Sequence, residues 1–170
     1  MRFIARISLL LIISTCFAED NYSLADTPRG LQIRFSEATV SAIRTATNCF
    51  VIPLKEQPPM AKYDKKQKKD IIEPVLRWFD AHSSKARPLS QSSYGALADL
   101  LLDPANHWAG LYCFEDESPV TAIRFTAREK VGYIVLHSRI VEIVWDEHTP
   151  SALLNKQGAI ALQNWIKDNG

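Results

Sequence analysis

The residues able to do chemistry fall into a few short clusters. His137-Ser138-Arg139 interrupts the most apolar run of the chain, between Leu136 and Ile140. Polar side chains in such a run need hydrogen-bond partners wherever they are buried. His137 can act as a base or a ligand-binding group, and Arg139 as an anion anchor. The plainer structural reading makes Ser138-Arg139 a tight hairpin turn with Arg139 in solvent. In Trp145-Asp146-Glu147-His148, Asp146 and His148 stand two apart, so on an extended chain both point the same way. With His137 they could hold zinc or organise a hydrolytic site. The chain has no His-Glu-x-x-His, however, and its sequence fixes no third ligand. Neither a metal nor a cofactor is therefore expected.

Ser138, His137 and Asp146 supply the residue types of a serine hydrolase without the Gly-x-Ser-x-Gly turn that would present the nucleophile. An unpaired Cys49 or Cys113 with His82 or His107 as base is the other catalytic route. A redox pair is not expected, because there is no Cys-x-x-Cys. In an oxidising compartment Cys49 and Cys113 are expected to form a disulfide. The long loop it closes would contribute about 4 kcal/mol in a chain-entropy account.

Three further features suit recognition rather than catalysis. Asn106-His107-Trp108-Ala109-Gly110 puts a large aromatic in a connection after the helix-ending Asp103-Pro104. Trp108 can anchor an interface there, with His107 beside it, or it can pack as a lid on the core. Glu115-Asp116-Glu117 forms an acidic turn able to face a cationic partner. Lys62, Lys65, Lys66, Lys68 and Lys69 make the one dense basic run, which suits an acidic surface or anionic head groups. The bland reading is a solvated helix start, although lysines near a helix N-terminus oppose its dipole.

These groups must be positioned by a region between residues 120 and 145, where β-branched and aromatic residues recur at strand period. Residues 120–126 and 131–137 read as two strands, joined by the polar residues 127–130. Residues 140–145 are either a third strand or a continuation of the second. Shorter strands are expected at 31–35, 50–52 and 111–114. Helices are expected at 37–47 after the cap Ser36, and around 71–79 with Asp64 as a distant cap or Pro74 in its first turn. Two more are expected, from Ser92 or Ser93 to Leu102, and from Thr149-Pro150 onward with a break near Gly158. The fold class that follows is α+β: a mainly antiparallel sheet of four to five strands with three to four helices packed on one side.

The N-terminus sets compartment and domain organisation. Arg2 and Arg6 precede the almost wholly apolar run Ile7–Ile13, and Cys16-Phe17-Ala18 ends in a small residue with Glu19 following. This is the pattern of a secretory signal peptide over residues 1–18, leaving 19–170 as one domain. The run is short for a membrane anchor. Cys16, preceded by Thr15, is a weak match to a lipidation site. The 170-residue chain has 20 basic and 19 acidic side chains, for a net charge of +1. Loss of Arg2 and Arg6 would leave 18 against 19, a formal charge of −1. That balance does not favour nucleic acid as a ligand.

The expected function is that of an exported periplasmic protein-interaction module without catalytic activity, whose partner is another envelope or secreted protein. One concrete form is an inhibitor or immunity protein acting on a cell-envelope enzyme. A second class is a small hydrolase using His137 with Asp146 or a free cysteine. A third is a small-ligand or lipid-binding domain with a pocket lined by Phe125, Tyr133 and Val135.

Overall fold

The alternating residues of the central region form an antiparallel meander in the computed structural model, which describes residues 35–108, 119–146 and 149–170. Strands β5 (Thr121–Ala127), β6 (Lys130–Leu136) and β7 (Ile140–Val144) pair in sequence order. Residues 140–144 are thus a third strand, not a continuation of the second. Two more short turns complete the logic of short connections between antiparallel neighbours. His137 N–H donates to the Ile140 carbonyl (2.9 Å), which closes the β6–β7 turn over Ser138-Arg139. The β5–β6 turn places Arg128 and Glu129 at φ 49° and 64°. This is the left-handed geometry of a two-residue hairpin turn, made here without glycine.

The sheet has six strands, beyond the four to five expected, in the order β4-β1-β5-β6-β7-β8. Strand β1 (Thr47–Pro53) lies beside β5 and is covered outside by the two-residue β4 (Arg87–Pro88). At the other edge, β8 (Ser151–Leu153) pairs with β7. Thr149-Pro150 therefore does not open a helix. The last helix starts only after Asn155, whose side chain accepts from Gly158 N–H. The pairing of residues 151–153 with β7 outweighs a local capping signal worth about 1 kcal/mol. A separate two-stranded hairpin joins β2 (Lys62–Asp64) to β3 (Lys69–Ile71).

Four helices complete the described residues: α1 (Glu37–Arg44), α2 (Glu73–His82), α3 (Gln91–Leu102) and α4 (Lys156–Asn169). Ser36 caps α1, as its sequence requires, by accepting from Thr39 N–H. The α3 cap is Ser90, two residues ahead of the expected position. Pro74 sits in the first turn of α2, where its missing N–H costs no hydrogen bond.

The class is α+β, but the helices divide between both faces of the sheet. On one face α1, α3 and α4 bury Ile43, Leu97, Leu101, Leu162 and Trp165 against Val51, Ile123, Ile134, Leu136 and Ile143. On the other, α2 buries Val75 and Phe79 against Ile52, Ala122, Tyr133, Val135 and Val144. The physical reason lies in β6, whose successive residues Tyr133, Ile134, Val135 and Leu136 are all apolar. A strand apolar on both faces must be covered on both. Two polar tips fix the larger layer. Tyr94 Oη donates to the Ile43 carbonyl (3.0 Å), and Trp165 Nε1 donates to the Ser93 carbonyl (2.9 Å).

The expected strands around Leu31 and at 111–114 lie outside the described residues. So do residues 1–18 with Cys16, as well as Cys113, Glu115, Asp116, Glu117, Glu147 and His148.

Candidate functional site

His137 and Asp146 are not brought together. His137 stands at the β6–β7 turn and Asp146 just past the far end of β7, about 20 Å away at strand rise. Asp146 is exposed and pairs with Lys130 Nζ. The acidic neighbour of His137 is instead Glu142, whose Oε1 lies 3.9 Å from His137 Nε2. The two residues are diagonal neighbours across the β6–β7 pair and share the sheet face on which α2 packs. His137 is only 6% exposed, while Glu142 is half-exposed. Glu142 also faces Ser151 across β7–β8. Sequence reasoning missed Glu142, although it is the one charged residue in the run from Ile140 to Val144.

Ser138 and Arg139 occupy the tight turn, with Arg139 exposed. The Ser138 carbonyl accepts from Gln163 Nε2 (3.0 Å), so the turn is held from α4. His107 is buried at 5% exposure and does not line a surface. Its Nε2 lies 2.7 Å from the Leu101 carbonyl, its ring meets Phe35 edge-on, and its backbone bridges to Leu154. It closes the end of α3 against β8. Trp108 is half-buried, and its N–H donates to the Leu153 carbonyl. Because Leu154 N–H donates to the Arg139 carbonyl, the backbones of Trp108 and Arg139 bond to adjacent residues at the same end of the sheet.

The three residues expected to line a ligand pocket point apart. Phe125 faces the α1–α3–α4 layer and stacks on Trp145 at 5.5 Å. Tyr133 and Val135 are buried on the opposite face under α2. Tyr133 stacks on Phe79 at 4.3 Å and donates its hydroxyl to Asp80 Oδ1 (2.9 Å). Burial, followed by the bond to Asp80, pushes the Tyr133 phenol up to about 12. A surface depression of about 280 Å³ runs along α1, lined by Glu37, Val40, Ser41, Arg44 and Thr45. It belongs to one helix and includes none of the expected site residues.

Cys49 is buried on β1, facing the larger helical layer. Burial pushes its thiol up to about 11. A thiol of that kind is a poor nucleophile near neutral pH. Its expected disulfide partner Cys113 lies outside the described residues.

The lysine run takes a form that its reading as a helix start did not anticipate. Lys62, Tyr63 and Asp64 pair with Ile71, Asp70 and Lys69, and residues 65–68 form the turn between them. Asp64 caps no helix. Its Oδ1 accepts from Lys66 N–H (2.8 Å) and Gln67 N–H (3.2 Å), an Asx turn that fixes the tip. Lys68 completes the reversal at φ 54°. Asp70 anchors the base, accepting from both Thr149 N–H (2.8 Å) and Thr149 Oγ1 (2.9 Å). Ala61 and Ile72, flanking the hairpin, pack into the α2 cluster. Lys62, Lys65, Lys66 and Lys68 are exposed. Beside them Met60 is 82%, Tyr63 59% and Ile71 44% exposed. The alternation of Tyr63 and Ile71 with charged residues on either side of a four-residue polar turn was the available signal.

Among the described residues no group of three or more His, Cys, Asp or Glu is placed to hold a metal ion. No helix among them is long and apolar enough to cross a membrane. The chain matches no protein-family model, no curated protein and no solved structure in the three comparisons made.

Proposed function

We propose that the protein is a binding module that acts by docking onto another protein rather than by catalysis. One observation carries this reading: the β2–β3 hairpin pairs outside the six-stranded sheet and displays exposed lysines with Tyr63 on one face, Ile71 on the other and exposed Met60 just before it. Large apolar groups on a surface are informative when they cluster beside charge, since that combination marks interaction sites. The hairpin is also preorganised by its Asx turn and its Asp70–Thr149 anchor, which lowers the entropy lost on binding.

The proposal keeps the expected setting. The protein would be exported, lose residues 1–18, and act on an envelope or secreted partner, as an inhibitor or immunity protein does. Intact-mass measurement on protein from the envelope fraction tests this setting. A chain beginning at Glu19 is expected, and a further loss of about 2 Da would report a Cys49–Cys113 pair. Retention of residues 1–18 would contradict export by cleavage. A hydrolase, expected with His137 and Asp146 or a free cysteine, would instead have to use the His137–Glu142 pair with Ser151 opposite Glu142. Turnover of ester or amide substrates that disappears in Glu142→Gln, with no partner captured, would replace the binding reading.

A further inference from the structure

We infer that the partner offers the hairpin an acidic cleft with an apolar rim, and that it is a protein rather than a membrane. This deepens the binding-module reading and rests on it. Residues 62–71 hold five lysines and two aspartates, a local charge of +3 within a chain of net charge +1. The rest of the chain therefore sums to −2, or −4 once Arg2 and Arg6 are lost with residues 1–18, and the hairpin is a positive pole on an acidic body. A pole of this kind steers the molecule tip-first toward negative charge.

The order of groups along the hairpin selects the kind of surface. Lys65, Lys66 and Lys68 lie in the leading turn. Ile71 closes the pairing at the base opposite Lys62, and Met60 precedes it. At strand rise the base trails the tip by about 10 Å. An element that binds anionic lipid sinks its apolar groups below the phosphate plane and leaves its lysines above it. Here three of the five lysines lead: on a flat anionic surface met tip-first, Lys65, Lys66 and Lys68 would touch while Met60 and Ile71, beside Lys62, stayed in water. A protein cleft that grips both faces satisfies both sets, with carboxylates on its floor for the tip and apolar side chains on its two walls for Tyr63 on one face and Ile71 on the other, and at its mouth for Met60. Desolvation of those three would supply most of the affinity, and the lysines the encounter rate and salt dependence.

Photoreactive benzoylphenylalanine placed singly at Met60, Tyr63, Trp108 or Ile160 in the full chain tests this. Ile160 is exposed on α4 and serves as a control. Protein adducts are expected from Met60 and Tyr63 and not from Ile160. They should fall at least about tenfold in K65E/K66E/K68E and at high salt. Lysine substitution of the acidic residues on the adducted partner should restore capture by the reversed hairpin. Phosphatidylglycerol vesicles should float without the protein. Lysine-dependent flotation with those vesicles would overturn the protein cleft in favour of a membrane. Adducts from Trp108 alone would overturn the hairpin while leaving the binding module intact. No adduct from any position would remove both.

Discussion

Gly132 shows how narrowly single positions constrain this core. It lies on β6 directly opposite Phe125, on the face where Phe125 and Trp145 stack. A Cβ there would come within 2.6 Å of Phe125 Cζ and 2.8 Å of Trp145 Cε3. Gly132→Ala should cost about 1–3 kcal/mol, read as a lower urea midpoint, because both rings must shift. An unchanged midpoint would mean that the stack has room to spare. Cys49 gives a second test at this scale. With the thiol raised to about 11 from an ordinary 9.0, its thiolate fraction at pH 8 is about 100-fold lower. In the reduced protein, iodoacetamide should therefore label Cys49 of the folded chain at least about 100-fold more slowly than Cys49 of the unfolded chain. Equal rates would show that β1 opens freely. The sign of the linkage also follows. A raised thiol favours the fold while protonated, so its contribution is present below about pH 9 and is lost as pH rises toward 11.

Elements obey local signals where long-range pairing agrees with them. Ser36 caps α1, Asp103-Pro104 ends α3, and Pro74 opens α2 within its first turn. Thr149-Pro150 and the lysine run read as helix starts and are not. In each case a pairing partner distant in sequence or a turn-forming side chain outweighed the helical signal, and a one-dimensional reading does not see that competition. β7 offers Val141 and Glu142 to Ala152 and Ser151. Asp64 folds back onto Lys66 and Gln67, which makes the tip a turn. The β5–β6 turn gives a direct prediction at this scale. Glu129 is exposed at φ 64°, a conformation that costs an L-residue about 1–2 kcal/mol. Glu129→Gly should raise stability by about 1 kcal/mol after its own entropic cost in the unfolded chain. A fall in the denaturation midpoint would show that the Glu129 side chain contributes contacts larger than the strain.

At the scale of the whole molecule, the central meander and the α+β class were legible because they depend on strand period, which a linear sequence displays. The placement of α2 on the second face was less so, although the unbroken apolar run of β6 implied cover on both sides. The candidate site was legible only in part. The lysine run stood out by composition, but Met60, Tyr63 and Ile71 became a surface only once the hairpin stood clear of the sheet. His137 and Asp146 invited pairing by type and were separated by the length of a hairpin, a distance that sequence spacing does not carry. The account rests on the hairpin as the docking element, with its exposed tip lysines outside the buried clusters that hold the fold. K65E/K66E/K68E should accordingly melt within about 2 °C of wild type, as exposed substitutions do. The most direct measurement is parallel capture from envelope extract by wild-type and K65E/K66E/K68E chains, each verified as folded and read by quantitative mass spectrometry. The account predicts a protein partner whose recovery falls at least about tenfold with the reversed hairpin. Equal recovery by both folded chains would contradict it.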